Sequence, residues 1–576
     1  MHASSRNIRA WRGQPSPAGA PHDQAGPRTC LPAVAALPLL LAACGGSSLG
    51  NPPLPADTLT AQAACTALPS THTLAATTLT TTYVPAGTQR PGGAATGAFL
   101  PGHCVVRGAT DPRTGIDGKP YAIGFELSLP DSWNGRFLYL GGGGNDGILR
   151  STSLSSSISG GTPSPLGQGY AVVSTDAGHS GTSAEFALDP QARIDHAYNA
   201  HDKTAVNAKA LIRTRYGRAP DHSYFSGCSG GGRQGMMFSQ RFPEYFDGIT
   251  AGAPAMRVSS GATIAAAWNN RAFTTIAPKD ASGRPVLSQA FSNTDLQLAA
   301  DAVNASCDAA DGLRDGMVQN TRACRFDPAV LQCSGSKTAT CLSAAQVGAL
   351  RDVFGGPRTS AGQALYTGQP WDPGIAGPDW RNWTLGTSTT ATPNSRYNTL
   401  MADALAREFF TPPDPTFDFL KFDFDTDPSR MAAFSAIYDT YADTTLAAYR
   451  QRGGKLLFIH GMADPIFSAQ DTVAYYERLT ARNGGRAATE SFARTLLVPG
   501  MNHCSGGPAT DSFDAVQAMV DWVEKGIAPD RVVATAASSS SAFSGRSRPL
   551  CAYPRYARYS GTGSTEDAAS FVCAEP

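Results

Sequence analysis

Ser223-Tyr224-Phe225-Ser226-Gly227-Cys228-Ser229-Gly230-Gly231 is the stretch whose reading decides the fold, and a helix-compatible run from Arg233 to Gln240 follows it. Its first residues are β-prone, and Gly227 to Gly231 fits G-x-S-x-G. A strand that breaks at a serine and restarts as a helix lifts the hydroxyl onto a tight turn, where small neighbours let the backbone pass. The bare pattern is weak in a chain with 60 glycines. Its place between strand and helix gives it weight. A serine hydroxyl needs an adjacent base to act as a nucleophile, so the stretch predicts a histidine and an acid at the same end of a sheet.

Comparable units lie on both sides. Arg136 to Leu140 runs into Gly141-Gly142-Gly143-Gly144, and Tyr170 to Thr175 runs into Asp176. Lys455 to Ile459 leads to His460-Gly461 and Asp464, while Thr495 to Val498 leads to Pro499-Gly500-Met501-Asn502-His503. Short apolar runs alternating with helical stretches predict an α/β fold with a mostly parallel sheet. Among 10 histidines, His503 is the best placed base. Asp464 is the acid expected to orient it, with Asp471 as the fallback. The order Ser229, Asp464, His503 is that of the α/β-hydrolases. The oxyanion hole these need is expected from the N–H groups of Gly230 and Gly144.

Composition divides the chain further. Residues 61–254 and 443–576 read as two parts of the α/β-hydrolase domain. Between them, 255–442 loses strand-like runs and gains Trp, Pro, Asp and Thr, as expected of a lid inserted between the nucleophile and acid strands. At the start, Arg6, Arg9, Arg12 and Arg28 precede an apolar run, Leu31 to Ala43, too short to span a bilayer. Residues 1–44 therefore read as an export signal ending in Leu41-Ala42-Ala43-Cys44, with Cys44 as a lipidation site or, alternatively, ordinary cleavage near Ala43. Residues 45–60 read as a flexible linker. Lys+Arg of 46 balances Asp+Glu of 46, so nothing points to nucleic acid, and a small organic substrate is expected. The membrane would be reached only through a lipid anchor at Cys44, and a monomer is the working expectation.

Setting aside Cys30 and Cys44, ten of the 12 cysteines remain in the exported part, an even count that suits disulfides in an oxidising compartment. Spacing suggests Cys65–Cys104, Cys307–Cys324, Cys333–Cys341 and Cys551–Cys573, leaving Cys228 and Cys504 for each other; spacing alone leaves many other pairings open. In the insertion, Cys307 to Met317 carries Asp308, Asp311 and Asp315 among glycines. Carboxylates at this density suit structural calcium, in a spacing that is not an EF-hand; a solvated acidic turn is the alternative.

Cys228-Ser229 and His503-Cys504 together resemble the signature of the tannase and feruloyl esterase family, in which a disulfide joins the cysteines beside the serine and histidine. Gly115-Ile116-Asp117-Gly118, Gln240-Arg241-Phe242-Pro243, Lys421 to Asp425 and Pro499 through Gly507 extend the resemblance over nearly all the exported chain. It implies a lid and a calcium held by Asp308, Asp311 and Asp315 with the carbonyls of Leu313 and Met317. It also implies that Arg396 binds an acyl-group carboxylate and that Trp383 and His460 touch substrate. Members that cleave terephthalate monoesters carry a phenylalanine where this chain has Leu400, serines at Met401 and Ala404, and a glutamate at Gly230. The function implied is an exported serine esterase for aromatic carboxylic esters, terephthalate or phthalate monoesters first and hydroxycinnamate or gallate esters second. A non-catalytic surface lipoprotein on a hydrolase scaffold is the rival of a different class; the aromatic-rich insertion disfavours a peptidase or lipase.

Overall fold

The computed structural model describes residues 60–576 apart from 72, 90–98, 155–157, 159–162 and 538–541. The expected export signal, the lipidation site at Cys44 and the linker up to residue 59 lie outside the described residues. The frame is a nine-stranded mixed sheet. Its strands are β1 (Thr77–Val84), β2 (His103–Thr114), β3 (Pro120–Pro130), β4 (Arg136–Leu140), β5 (Ala171–Thr175), β6 (His222–Cys228), β7 (Gly248–Gly252), β8 (Lys455–Gly461) and β9 (Ala493–Val498). They lie in the order β1-β2-β3-β5-β4-β6-β7-β8-β9.

From β5 to β9 every pairing is parallel, and β1, β2 and β3 add an antiparallel edge. The parallel strands are buried along almost their whole length, which explains why they read as continuous apolar runs without alternation. Helices α1 (Ala200–Tyr216), α2 (Gly230–Arg241), α3 (Thr263–Ile276), α4 (Ala469–Arg482) and α5 (Ala515–Lys525) include those that cover the sheet. One face packs Phe137, Tyr139, Phe225 and Phe458 against α1, α2 and α4. The other packs Leu138, Tyr224, Leu457 and Ile459 against α5. This is the α/β-hydrolase fold.

No strand of the sheet lies between Gly252 and Lys455 among the described residues. That segment forms its own apolar clusters, one around Trp383, Tyr397, Phe409 and Phe434 that also takes in Phe186 and Phe467 of the frame. It packs onto the frame within one unit, Leu59–Pro576. Among the described residues five disulfides are present: the four local pairs that spacing suggests, Cys65–Cys104, Cys307–Cys324, Cys333–Cys341 and Cys551–Cys573, and the remaining pair, Cys228–Cys504. Among the described residues no helix is long and apolar enough to cross a membrane.

Candidate active site

Ser229 sits between β6 and α2 with φ +66° and ψ −123°, a strained backbone for a residue with a side chain. Three hydrogen bonds hold it: its N–H donates to Gly252 O at 2.9 Å, and its carbonyl accepts from Arg233 N and Ala255 N. The flanking glycines are steric necessities. A Cβ on Gly227 would fall 2.9 Å from both Gly141 Cα and Gly231 Cα, and one on Gly231 would fall 2.8 Å from Gly142 O. Three backbones meet where the strap after β4 crosses the elbow.

That strap is braced from below. Gly142 N–H donates to Gln234 Oε1 at 3.0 Å, Gly143 N–H donates to Asp146 Oδ1 at 2.9 Å, and Gln234 Nε2 donates to Asp146 Oδ2 at 2.9 Å. Burial raises the Asp146 carboxyl above its ordinary value, against the opposing pull of His196, Gln234 and Arg233. The brace leaves Gly144 as the next residue of the strap, and its backbone runs within van der Waals reach of Gly230. Sequence reasoning missed Gln234 and Asp146; a carboxylate directly behind the glycine run was the available signal.

His503 follows β9. Its Nδ1 pairs with Asp464 Oδ2 at 2.7 Å, and Asp464 is fully buried after β8. Burial pushes the Asp464 carboxyl up, but the neighbouring His503 and His460 and the bonds they make outweigh it and hold the group well below the usual carboxylate range. The backbone N–H groups of Ile466 and Phe467 donate to its other oxygen at 2.8 and 3.1 Å. The His503 loop is pinned from the insertion, where buried Asp372 accepts Gly500 N–H at 3.0 Å. Trp383 and Phe467 flank the imidazole at ring-centroid distances of 5.7 and 5.5 Å. Among the described residues the Ser229 hydroxyl makes no hydrogen bond to His503, a looseness common to catalytic pairs before substrate binds. Cys228–Cys504, with Cα atoms 6.0 Å apart, ties the two loops together.

Ser229 and His503 open onto one cavity of about 210 Å³. Gly142 to Asn145, Arg150 and Gly230 form its frame wall, and Trp383, Arg396, Leu400, Met401, Ala404 and Phe409 form its insertion wall. The Arg396 guanidinium lies 4.6 Å from the Trp383 ring centroid.

Two sequence expectations are corrected. His460, expected to touch substrate, is fully buried and absent from the cavity wall; it bonds Thr472 Oγ1 at 2.8 Å and Phe467 O at 3.0 Å and stands 3.4 Å from Asp464. The reason is strand alternation: His460 is still inside β8, on the face of Leu456 and Phe458, so it supports the acid from behind. Asp471, the fallback acid, is buried in an ion pair with Arg257, remote from His503 in its bonding.

The acidic loop of the insertion is clasped by the C-terminal tail. Arg548 and Arg546 engage Asp315, whose carbonyl also accepts from Arg546 at 2.7 Å. Asp311 Oδ1 accepts Leu313 N–H, and Asp315 Oδ1 accepts Met317 N–H. Among the described residues no three His, Cys, Asp or Glu side chains converge as a ready-made metal cage. Yet the donor set suits a hard cation: Asp308 Oδ1 is buried with no hydrogen-bond partner. Burial first, then the neighbouring Asp315 and Asp308 carboxylates, push Asp311 up to about 7.

The family model for tannase and feruloyl esterase matches residues 104–574. The chain belongs to this family. It is similar to the mono(2-hydroxyethyl) terephthalate hydrolase of Piscinibacter sakaiensis, 45% identical over 84% of this chain and 86% of that one. A probable feruloyl esterase of Arthroderma benhamiae is 30% identical over 82% of this chain and 86% of its own length. Among solved structures, feruloyl esterase B from Aspergillus oryzae superposes with a TM-score of 0.75 at 26% identity, covering 89% of this chain and all of that one. The family assignment makes the protein a carboxylic ester hydrolase.

Proposed function

We propose that this protein hydrolyses monoesters of benzene dicarboxylic acids, of the mono(2-hydroxyethyl) terephthalate or phthalate type, through an acyl-enzyme on Ser229. The reading rests on one observation: the Asp464–His503 pair and Ser229 meet at a single cavity whose insertion wall presents Arg396 over Trp383. Among the described residues no carboxylate lies within ion-pair distance of Arg396, although the Asp379 carboxyl feels its charge, and a planar guanidinium suits a substrate carboxylate. Ser229 Oγ attacks the ester carbonyl while His503 takes its proton. The N–H groups of Gly144 and Gly230 stabilise the oxyanion, Asp464 holds the imidazole in orientation, and His503 returns the proton to the leaving alcohol. Water then attacks the acyl-enzyme by the same route and frees Ser229.

Leu400, Met401 and Ala404 make the insertion wall apolar around the ring. Calcium at Asp308, Asp311 and Asp315, with the carbonyls of Leu313 and Met317, is a structural part of the proposal; it would clamp the insertion to the tail and supplies no step of the reaction. The five disulfides support export, with Cys44 as the anchor.

Turnover of a panel of terephthalate, phthalate, ferulate and gallate esters tests the substrate, with Ser229→Ala as the blank. Terephthalate or phthalate monoesters should lead, and Arg396→Ala should cut their kcat/KM most. A lead by ferulate or gallate esters moves the substrate to those classes, and turnover by Ser229→Ala overturns the nucleophile. EDTA should lower Tm, and calcium should restore it; an unmoved melt refutes the metal.

A further inference from the structure

His196 lies in the frame turn Asp195–Asn199, directly before α1, and Glu408 lies in the insertion turn Leu405–Phe409. Ala404 and Phe409 of that insertion stretch line the cavity. The His196 side chain is 1% exposed and the Glu408 side chain 0%, with Nδ1 and Oε1 2.6 Å apart. No step of the ester hydrolysis uses either group. A carboxylate removed this completely from water persists only where it is paired, and the frame places further polar groups around the pair. The buried Arg233 guanidinium donates to His196 O at 3.1 Å and to Ala197 O at 2.8 Å, while the Arg233 backbone N–H donates to Ser229 O at 3.0 Å. One residue thus joins the His196 turn to the nucleophile elbow. Asp146 forms the second link. Its Oδ1 accepts the Gly143 N–H and its Oδ2 accepts Gln234 Nε2, so both oxygens act as acceptors, as a carboxylate allows and a protonated acid does not. Burial works against the carboxylate; His196 works against burial, as do Gln234 and Arg233.

We propose that Glu408 and His196 are positioning residues for the oxyanion hole: by docking Glu408 on His196, the insertion fixes the Asp146 brace under the Gly143–Gly144 strap. The insertion then does more than wall the cavity. Its seating on the frame is transmitted through His196 to the two backbone segments that must hold the oxyanion, the strap through Asp146 and the elbow through Arg233. The inference rests on the Ser229 acyl-enzyme reading above and adds two residues to its oxyanion step.

Glu408→Gln keeps an acceptor for the imidazole and removes the charge. On a p-nitrophenyl ester, well below its melt, this variant should lose on the order of ten- to a hundredfold in kcat, with KM within about twofold of wild type. His196→Gln breaks the same pair from the frame side and should reproduce the loss. An aryl trifluoromethyl ketone reads the oxyanion directly: Ser229 Oγ adds to its carbonyl carbon, the hydroxyl proton passes to His503, and the carbonyl oxygen takes the negative charge. Its inhibition constant should rise by about the factor that kcat/KM loses. Asp403→Asn is the docking control, because Asp403 seats the same stretch of the insertion by accepting the Ala184 N–H at 2.7 Å; it should leave kcat near wild type. Asp146→Asn should lose kcat, and adding Glu408→Gln to it should cost less than about threefold more. The proposal is overturned by wild-type kcat in Glu408→Gln or Asp146→Asn, by a loss confined to KM, by an unmoved ketone constant, by an equal loss in Asp403→Asn, or by losses that multiply in the double variant. Ser229→Ala keeps the two readings apart: turnover by that variant refutes the acyl-enzyme and takes the oxyanion role with it, whereas a dead Ser229→Ala beside an unaffected Glu408→Gln overturns the positioning role alone.

Discussion

Replacing Cys228 and Cys504 together by alanine tests whether one covalent bond sets the geometry of the reaction. The bond closes 276 residues of chain, and chain entropy alone assigns such a closure roughly 5–6 kcal/mol at 25 °C. The disulfides nested inside, spanning 17 and 8 residues, shorten the loop only slightly. Alanine is preferable to serine because Cys228 is 2% exposed, and a serine hydroxyl left unpaired there would add about 1–3 kcal/mol of its own. The matched control is the double alanine variant at Cys551 and Cys573. That bond spans 22 residues, so its loss should cost roughly 3–4 kcal/mol, and neither cysteine touches the cavity.

Calorimetry and initial rates on a p-nitrophenyl ester, taken well below both melts, read the two effects separately. Both variants should melt lower than wild type, the Cys228/Cys504 variant more so. Only that variant should lose kcat. Misplacing a catalytic group by 1 Å costs on the order of 100-fold, and the Ser229 and His503 loops have no other covalent tie. Wild-type kcat in the Cys228/Cys504 variant would refute the clamp and leave a simple staple. An equal kcat loss in the control would show that the melt, and not the geometry, governs turnover.

Asp464→Asn should lower kcat roughly 10⁴-fold through the wrong imidazole tautomer, and a rate within tenfold of wild type would remove Asp464 from the triad. Because its native pKa is depressed, the stability Asp464 contributes is fully present above the ordinary carboxylate value, about 3.9, and is lost only as pH falls below it. The Tm gap between wild type and Asp464→Asn should therefore stay constant from pH 8 to 5 and shrink toward pH 3; a gap that closes by pH 5 contradicts this. His196 Nδ1 and Glu408 Oε1 form a fully buried 2.6 Å pair that docks the insertion helix bearing Met401 and Ala404 onto the frame. Glu408→Ala should cost about 3–5 kcal/mol, read as denaturant midpoint, and an unmoved midpoint means the pair holds nothing. Gln234→Leu removes the donor to Asp146 and the acceptor for Gly142, so kcat should fall with KM nearly constant; a change confined to KM would show that the brace shapes the pocket and not the oxyanion hole.

The residues legible in the sequence share one property: each lies at the end of a buried parallel strand, where the period changes abruptly and a loop begins. Ser229, Asp464 and His503 follow β6, β8 and β9 within a few residues, so reading each strand locates its residue without knowledge of neighbours. His460 shows where that logic fails. It also ends an apolar run, but a one-residue difference in where the strand stops decides whether a side chain faces the cavity or the core, and boundaries are the least determined part of a sequence reading. Gln234, Asp146, His196 and Glu408 escaped for a different reason: their partners lie 88 and 212 positions apart, and no local pattern encodes such a pairing. The insertion combines both difficulties. It contributes Trp383, Arg396, Leu400 and Met401 from irregular and helical segments without a strand period to anchor them. Hence the chemistry, built on strand ends, is readable from the chain, while the cavity wall that Trp383, Arg396 and Met401 supply exists only once the insertion has folded against the frame.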